Sequence, residues 1–275
     1  PVNSARTALA AARRLGLERL DAQLLLSHVL GRDRAWLIAN DDSLLDEAAL
    51  ERFEHLVSRR ARGEPFAYLV GAKEFHGLEL QVDARVLVPR PDTEVLVDWA
   101  VALLRSELAG VEKPPVVDLG TGSGAIALAV RHAHPAAQVL ATDASADALD
   151  VARANAQRLQ LPLETATGSW WQAVAGRRFA LALSNPPYIA MGDPHLAALH
   201  AEPASALAPG PTGLEALEAI IDAAPAHLSP GGWLLLEHGF DQAEAVRQRL
   251  LARGFQLVQT RLDLSGQPRC SGGHL

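Results

Sequence analysis

Cysteine is nearly absent from this sequence of 275 residues, which contains only Cys270. A single thiol cannot form a disulfide within the chain, and disulfides are typical of oxidising compartments, so a reducing environment is expected. Apolar runs that approach the roughly 20 residues of a membrane-spanning helix are also missing. The first 20 residues include arginines but lack the continuous apolar segment and the cleavage site of a signal peptide. The sequence therefore predicts a cytoplasmic protein with no membrane partner.

Positive charge is scarce, since 25 Lys and Arg face 32 Asp and Glu and give a net charge of −7. Proteins that hold a nucleic-acid backbone usually present a basic surface, so no direct nucleic-acid partner is expected. The histidines form no recognisable metal motif. The pairs His132 and His134, and His195 and His200, lack the carboxylates and the spacing of a metal site. No metal ion is expected.

Residues 1–73 are predicted to form a small all-helical domain. Ser4, Asp21 and Asp46 each stand where a helix N-cap is expected, and glycines follow the first two helical segments. Apolar residues recur with helical spacing in the third segment. This region carries no motif of catalytic chemistry, so its predicted role is recognition of the substrate.

Residues 74–90 are predicted to form a β-hairpin linker between two domains. Leu78, Leu80 and Val82 alternate with polar residues, "DA" at 83–84 follows as the expected turn, and a second β-rich run comes next.

Residues 91–275 repeat a strand-then-helix pattern. "PVVDL", "QVLATD", "FALALS" and "WLLLEH" are predicted strands, and the last two are almost continuously apolar, as in strands buried on both faces. Alternating strands and helices predict a parallel sheet with helices on both faces. The predicted fold class is therefore α/β, with a Rossmann-like sheet preceded by the helical domain.

The first of these strands leads directly into the glycine-rich segment "DLGTGSGAIAL". Its glycines permit a tight turn and a close backbone approach to a ligand, and a helix N-terminus follows. Asp143 lies 19 residues beyond Gly124, at the end of the second strand, where an acidic side chain can accept both ribose hydroxyls of an adenosine. The candidate cofactor-binding residues of the loop are Gly120, Thr121, Gly122, Ser123 and Gly124.

The loop alone does not decide which adenosine cofactor binds, because its spacing also satisfies the dinucleotide fingerprint. S-adenosyl-L-methionine is favoured over NAD. The loop lies in the middle of the chain behind a helical domain, and no second nucleotide motif or hydride-transfer partner accompanies it.

The segment "SNPPYIA" follows the apolar strand "RFALAL". Pro186 and Pro187 remove two successive backbone donors, and each proline favours extended geometry in the residue before it. The result is a rigid corner with carbonyl groups, the amide of Asn185 and the ring of Tyr188. Asn185 and Pro186 can accept the two N–H groups of a planar amide, against which Tyr188 would lie. These four residues are the candidate catalytic and substrate-binding site, and Asn185 can also contact the cofactor.

Together, "DLGTGSG", Asp143 and "NPPY" resemble class I S-adenosylmethionine-dependent methyltransferases that modify planar nitrogens. Within this class, "EFHGLELQVDARVLVPRPDTE" before the glycine loop and "LLLEHG" after it are similar to the PrmC/HemK family. The resemblance covers nearly the whole chain. "NPPY" alone is shared with DNA adenine methyltransferases, whereas "PRPDTE" at its distance from "GTGSG" is much more specific.

This resemblance implies a class I methyltransferase domain that acts as a protein-(glutamine-N5) methyltransferase. The implied reaction transfers a methyl group to the glutamine of the GGQ motif in class 1 peptide chain release factors. Trp170 is the implied neighbour of the adenine, although at least one of Trp170 and Trp171 is expected to pack against the sheet. Ser169 in "GSWW" departs from the family, which usually has an acidic residue there.

Three alternatives stay open at this point. The same corner would serve an N5-glutamine methyltransferase of a ribosomal protein, or a nucleic-acid amino methyltransferase such as an adenine N6 enzyme. A binding module that has lost catalysis is the third, and the intact motifs argue against it.

Overall fold

The computed structural model describes residues 3–275 and divides into two compact units, one ending at Ala72 and the other spanning Lys73–Leu275. Pro1 and Val2, which the predicted helical domain includes, lie outside the described residues. Each unit has a hydrophobic core of its own. Among the helices of residues 3–275, none combines the length and the hydrophobicity needed to cross a membrane.

The first unit is helical. Its helices are α1 (Ala5–Arg14), α2 (Arg19–Leu30), α3 (Arg34–Ala39), α4 (Glu47–Ala61) and α5 (Phe66–Val70). Ser4 caps α1 and Asp46 caps α4, as predicted, each by accepting a hydrogen bond from a backbone N–H of the first turn. The prediction for Asp21 is wrong, because α2 begins at Arg19 and Asp21 lies within its first turn. There the carboxylate is favoured by the helix dipole and bonds Arg60 at 2.7 Å.

The hairpin lies earlier than predicted. Strand β1 (Ala72–Phe75) pairs with β2 (Leu78–Gln81), and the turn falls at His76 and Gly77 rather than at 83–84. Both turn residues have positive φ, 49° and 76°, as a two-residue turn matched to the twist of a hairpin requires. The run after residue 82 forms no strand within the described chain. Pro89 and Pro91 lack an N–H, and the N–H of Val88 is bonded to a side chain instead.

The rest of the second unit alternates strands and helices. Its helices are α6 (Glu94–Arg105), α7 (Ala125–Ala133), α8 (Ala146–Leu159), α9 (Glu215–Ala223) and α10 (Ala243–Ala252). Its strands are β3 (Pro115–Leu119), β4 (Gln138–Asp143), β5 (Glu164–Thr167), β6 (Phe179–Ser184), β7 (Leu228–Glu237), β8 (Gln256–Leu262) and β9 (Pro268–His274).

Within residues 3–275 these seven strands form one sheet in the order β5-β4-β3-β6-β7-β9-β8. The first five strands of this order are parallel, which confirms the predicted α/β fold class. Alternate residues of β3 enter opposite cores: Val116 packs with α6 and α7 on one face, and Val117 packs with α9 and α10 on the other. The sheet is therefore covered on both faces, which explains the continuous apolar runs of its central strands.

The sheet ends in an antiparallel pair that the sequence pattern did not reveal. Strand β9 lies between β7 and β8 and is antiparallel to both. It approaches β7 closely at Gly272, where a Cβ would lie 2.5 Å from the carbonyl oxygen of Leu234. Most residues of β8 are exposed, so its hydrophobic alternation is weak.

The order of the strands also fixes the position of a site. The chain moves from β3 outward to β5 and then returns to place β6 on the other side of β3. At such a switch point the loops after the two central strands diverge and leave a crevice at their carboxyl ends. The glycine loop follows β3 and the "NPPY" segment follows β6, so both meet at this crevice.

Candidate active site

A cavity of about 400 Å³ opens at the carboxyl ends of the central strands, a size typical of small-molecule sites. The predicted site residues that line it are Gly120, Thr121, Gly122, Ser123, Asp143, Trp170, Asn185 and Pro187. Gly124 is instead the N-cap of α7, and Pro186 and Tyr188 line an adjoining cavity.

The glycine loop has the backbone geometry that its residues suggest. Gly120, Gly122 and Gly124 have φ values of 74°, 56° and 84°, which other residues rarely adopt. At Gly124 a Cβ would lie 3.2 Å from the Cβ of Ala152, so this glycine lets α7 and α8 pack closely. At Gly122 a Cβ would meet no described atom within 4 Å, and this residue faces the cavity. The loop is therefore a cradle with open space above it.

Two buried polar side chains that the sequence reasoning missed hold this loop in place. Asp118, fully buried, accepts hydrogen bonds from the Thr121 hydroxyl at 2.6 Å and the Ala127 N–H at 3.2 Å. Burial raises its pKa to about 7 despite these bonds. Asn155 donates to the Ser123 carbonyl and exchanges two bonds with the backbone of Gln81. Asp118 begins the segment "DLGTGSG", so the motif itself pointed to this residue, whereas Asn155 lies inside an ordinary helical pattern.

Asp143 lies at the cavity wall at the end of β4. Its carboxylate accepts the N–H of Gly122 at 2.9 Å and the N–H of Ser145 at 2.9 Å. Each carboxylate oxygen thus has one described partner and a second lone pair available. This arrangement can accept two hydroxyl groups of a ribose while the carboxylate stays fixed on the loop.

The two tryptophans of "GSWW" lie in different environments. Trp171 is buried, donates its indole N–H to the Ile220 carbonyl at 2.8 Å and stacks on His227. Trp170 is half-buried on the cavity wall, and its ring lies 3.1 Å from where a Cβ of Gly120 would be. One tryptophan thus packs against the sheet, as expected, and the other offers a flat face to a ligand. Ser169 also lines the cavity and begins a short 3₁₀ turn.

The corner after β6 is fixed by bonds at both ends. The Ser184 hydroxyl donates to the Leu119 carbonyl at 2.6 Å, which ties the ends of β6 and β3 together. The side-chain Nδ2 of Asn185 donates to the Thr93 hydroxyl at 3.4 Å. The carbonyl of Tyr188 accepts from Gln242 at 3.0 Å, and its hydroxyl lies 3.4 Å from Oε1 of Glu237.

A second cavity of about 240 Å³ adjoins the first at this corner. Both cavities are lined by Asn185 and Pro187, and the second is also lined by Pro186, Tyr188 and Leu207. The corner therefore stands between two compartments, one beside the glycine loop and one on the other side of "NPPY".

Glu237, at the end of β7, is a further residue that the sequence reasoning did not single out. Its side chain is buried beside Tyr188 and Arg269, and its Oε2 has no hydrogen-bond partner among the described residues; burial raises its pKa to about 7, while the nearby Thr93 hydroxyl and the charge of Arg269 act in the opposite direction. Burial and the nearby Glu237 raise the pKa of Tyr188 above its ordinary value, so the phenol stays protonated. His238 does not line the cavity: it is buried, with its nitrogens bonded to the Gly239 carbonyl and the Ser271 hydroxyl.

An ion pair organises the rim of both cavities. Glu202 is buried, bonds the guanidinium of Arg90 and accepts the N–H of Val88 at 3.0 Å. It thereby fixes the long irregular loop 200–213 against the segment before α6. Pro203 and Ala206, next to Glu202 in that loop, line the first cavity.

The sequence is similar to that of known proteins over nearly its whole length. Residues 2–71 match the family model described as PrmC N-terminal domain, and residues 93–260 match Methyltransferase small domain. The chain is 49% identical to the release factor glutamine methyltransferase of Xylella fastidiosa (strain Temecula1), over 97% of this chain and 96% of that protein. It is 48% identical to the enzyme of the same name from Bordetella pertussis, over 94% and 96%.

Solved structures resemble the chain in fold. A methyltransferase from Pyrococcus furiosus matches with a TM-score of 0.53 and 20% identity, over 72% of this chain and 88% of that one. At this identity the similarity shows a shared architecture, that of the Rossmann-like methyltransferases.

Proposed function

This chain belongs to the release factor glutamine methyltransferase family, and we propose that it methylates the side-chain amide nitrogen (N5) of the glutamine in the GGQ motif of class 1 peptide chain release factors. It is an enzyme whose methyl donor is S-adenosyl-L-methionine. We further propose that it acts in the cytoplasm, with the release factor as its protein partner.

The first cavity fits this cofactor. The open cradle at Gly122 and the N-terminus of α7 accommodate the polar amino-acid end, the carboxylate of Asp143 suits the ribose hydroxyls, and Trp170 offers a flat surface to the adenine. Bound there, S-adenosyl-L-methionine supplies a methyl group on a positively charged sulfur. The protein's task is to hold this group and the acceptor nitrogen together and to exclude water.

The corner of Asn185 and Pro186 is proposed to hold the acceptor glutamine. An amide nitrogen is a poor nucleophile because its lone pair is delocalised into the carbonyl. Acceptors on both of its N–H groups raise its electron density and fix its direction. The side-chain oxygen of Asn185 and the carbonyl of Pro186 suit this role, because Nδ2 of Asn185 is already bonded to Thr93. Tyr188 would lie against the flat amide.

The observation that carries this proposal is the shared wall of the two cavities. Asn185 and Pro187 line the compartment of the glycine loop and also the one beyond the corner. A cofactor in the first compartment and a glutamine in the second would thus meet at Asn185. We propose that the helical unit recognises the protein substrate, since it carries no chemistry of its own.

The decisive experiment is a methyl-transfer assay with labelled S-adenosyl-L-methionine. A release factor, a ribosomal protein and DNA are offered separately at equal concentrations. We expect one methyl group on the release-factor glutamine, located by peptide mass spectrometry in its Gly-Gly-Gln segment. Methylation of the ribosomal protein or of DNA, with none on that glutamine, would overturn the proposal.

A further inference from the structure

The side-chain amide of Gln242 bonds the backbone of the "NPPY" corner to two other loops. Gln242 is half-buried and directly precedes α10. Its Nε2 donates to the carbonyl of Tyr188 at 3.0 Å and to the carbonyl of Gly213 at 3.3 Å. Its Oε1 accepts the N–H of Gly239 at 2.8 Å. One amide thus joins the loop after β6, the loop before α9 and the loop after β7.

The direction of these three bonds is fixed by the chemistry of the backbone. A peptide carbonyl only accepts and a peptide N–H only donates, so the NH₂ group of Gln242 must face Tyr188 and Gly213, and its oxygen must face Gly239. A reversed amide would place its oxygen against two carbonyl oxygens and its NH₂ group against an N–H. The orientation of Gln242 therefore does not depend on the charge state of any neighbouring group.

The packing at Gly213 shows how closely these loops approach each other. A Cβ on Gly213 would lie 2.5 Å from the carbonyl oxygen of Tyr188 and 3.0 Å from the backbone nitrogen of Ala190. The two loops therefore meet backbone to backbone, and the carbonyls of Tyr188 and Gly213 converge on the same nitrogen of Gln242. Without a donor between them, two carbonyl oxygens repel each other, so the loss of this NH₂ group should displace the corner.

The carbonyl of Tyr188 matters because of its place in the corner. Pro186 and Pro187 carry no N–H, so the corner cannot be anchored through donors at these two positions. The carbonyl of Pro186, a proposed acceptor for the substrate, lies two residues before that of Tyr188, and Pro187 between them has a fixed φ. The hydroxyl of Tyr188 lies 3.4 Å from Oε1 of Glu237. Tyr188 is thus held at its carbonyl and at its ring.

We propose that Gln242 is a positioning residue for methyl transfer, which fixes the Tyr188 carbonyl and thereby aims the Pro186 carbonyl and the Tyr188 ring at the substrate glutamine. This inference rests on the proposed function. Gln242 lines neither of the two cavities, so it acts through the corner and touches neither cofactor nor glutamine. Tyr188 lines the second cavity and not the one beside the glycine loop. The effect of Gln242 should therefore fall on transfer and not on cofactor binding.

The test uses the full chain with two substitutions at Gln242 and one matched control. Gln242→Glu keeps an oxygen for the N–H of Gly239 but replaces the donor with an oxygen that faces two carbonyls. Gln242→Met removes donor and acceptor without adding a charge. The control is Gln248→Glu, the same change in α10, where the exposed amide of Gln248 bonds Glu244 at 2.7 Å.

The kinetic readout separates kcat from binding. We expect both Gln242 variants to lower kcat with a release factor at least about tenfold, as for the loss of one orienting hydrogen bond. The KM for the release factor and the affinity for S-adenosylhomocysteine should each stay within about twofold of the Gln248→Glu values. A general loosening of the fold would instead weaken cofactor binding together with kcat.

A second measurement reports the Tyr188 carbonyl directly and does not depend on activity. The sequence contains two tyrosines, Tyr68 and Tyr188, and only Tyr188 is followed by an isoleucine. Tyrosine labelled with ¹³C at its carbonyl, combined with ¹⁵N-labelled isoleucine, therefore gives one correlated NMR signal, from Tyr188 and Ile189. A carbonyl that loses a hydrogen bond shifts to lower ¹³C frequency. We expect this shift in both Gln242 variants and none in Gln248→Glu.

The outcomes separate this inference from the function on which it rests. A kcat in the Gln242 variants equal to that of Gln248→Glu, or an unchanged Tyr188 signal, would refute the positioning role. A loss of cofactor affinity as large as the loss of kcat would do the same. If Gln242→Glu does not fold, the uncharged Gln242→Met decides by the same two measurements. If the unsubstituted enzyme binds cofactor but methylates no release factor, the proposed function fails, and the NMR signal still tests whether Gln242 holds the corner.

Discussion

Asn185 is the residue whose removal should affect catalysis most. The side-chain oxygen lost in Asn185→Ala is the proposed acceptor for one N–H of the substrate glutamine. The corner is partly enclosed, so this N–H would be left without a partner, which costs on the order of 1–3 kcal/mol. The cost should rise in the transition state, because the N–H groups become more acidic as the nitrogen attacks. At about 1.4 kcal/mol per factor of ten, we expect kcat to fall at least about a hundredfold.

Asn185→Asp is the sharper variant at this position. It keeps an acceptor oxygen but replaces the amide with a charged carboxylate, which has no N–H to donate to the Thr93 hydroxyl. Binding of S-adenosylhomocysteine should survive while methyl transfer falls. A suitable control is Gln157→Ala, which removes an exposed amide from α8 and lines neither cavity.

The assay for both variants combines calorimetry with single-turnover methyl transfer. Calorimetry with S-adenosylhomocysteine reports the cofactor compartment, and transfer to a release factor reports the corner. Asn185→Ala with a kcat within threefold of the control variant would refute the role of its oxygen as an acceptor. A loss of cofactor affinity that accounts for the whole effect would place Asn185 in the cofactor site instead.

Three further predictions concern the cofactor, the charge state of the interior and the helical unit. Asp143→Ala should remove two charge-assisted hydrogen bonds to the ribose, each worth roughly 1.5–3 kcal/mol, and unchanged affinity for S-adenosylhomocysteine by calorimetry would contradict this. Asp118 and Glu237 have pKa values raised by burial to about 7, so the folded chain keeps protons that the unfolded chain has lost by about pH 5. The free energy of unfolding should therefore fall as pH rises from about 5 to 8, and Glu237→Gln should remove up to about 3 kcal/mol of this dependence in urea titrations. A chain of residues 73–275 should bind cofactor but methylate a release factor far more slowly, and full activity would show that the helices are only structural.

The sequence predicted the parallel part of the sheet because its signals are local. "FALALS" and "WLLLEH" are continuous apolar strands, and the glycine loop and Asp143 mark the ends of two others. The antiparallel strand β9 was missed because "PRCSGGH" has no alternation, and its glycines serve a close approach to β7 that only the folded sheet reveals. The hairpin turn was misplaced because His-Gly at 76–77 is not one of the dipeptides, such as Asn-Gly or Asp-Gly, that mark a two-residue hairpin turn.

The residues of the candidate site were likewise predictable only where their sequence signals are local. Asp143, Trp170 and Asn185 belong to short motifs, and the structure brings them to one cavity. Asn155 bonds the glycine loop at Ser123, Thr93 bonds Asn185, and Glu237 bonds the Tyr188 hydroxyl, each across distant segments. Their partners follow from the order of the strands, so no window of the sequence could identify them.

Strand β9 has a consequence for how the protein is made. It pairs with β7, yet β8 and the whole of residues 238–267 are synthesised between the two. Translation proceeds at about 5–20 residues per second, so the apolar edge of β7 remains without its neighbour for at least about 2–7 seconds. An open apolar edge of this kind is a template for wrong pairing with other chains. During that interval the nascent chain should be a substrate for chaperones, and the positive charge of Arg269 comes near Glu237 only when the final strand is in place.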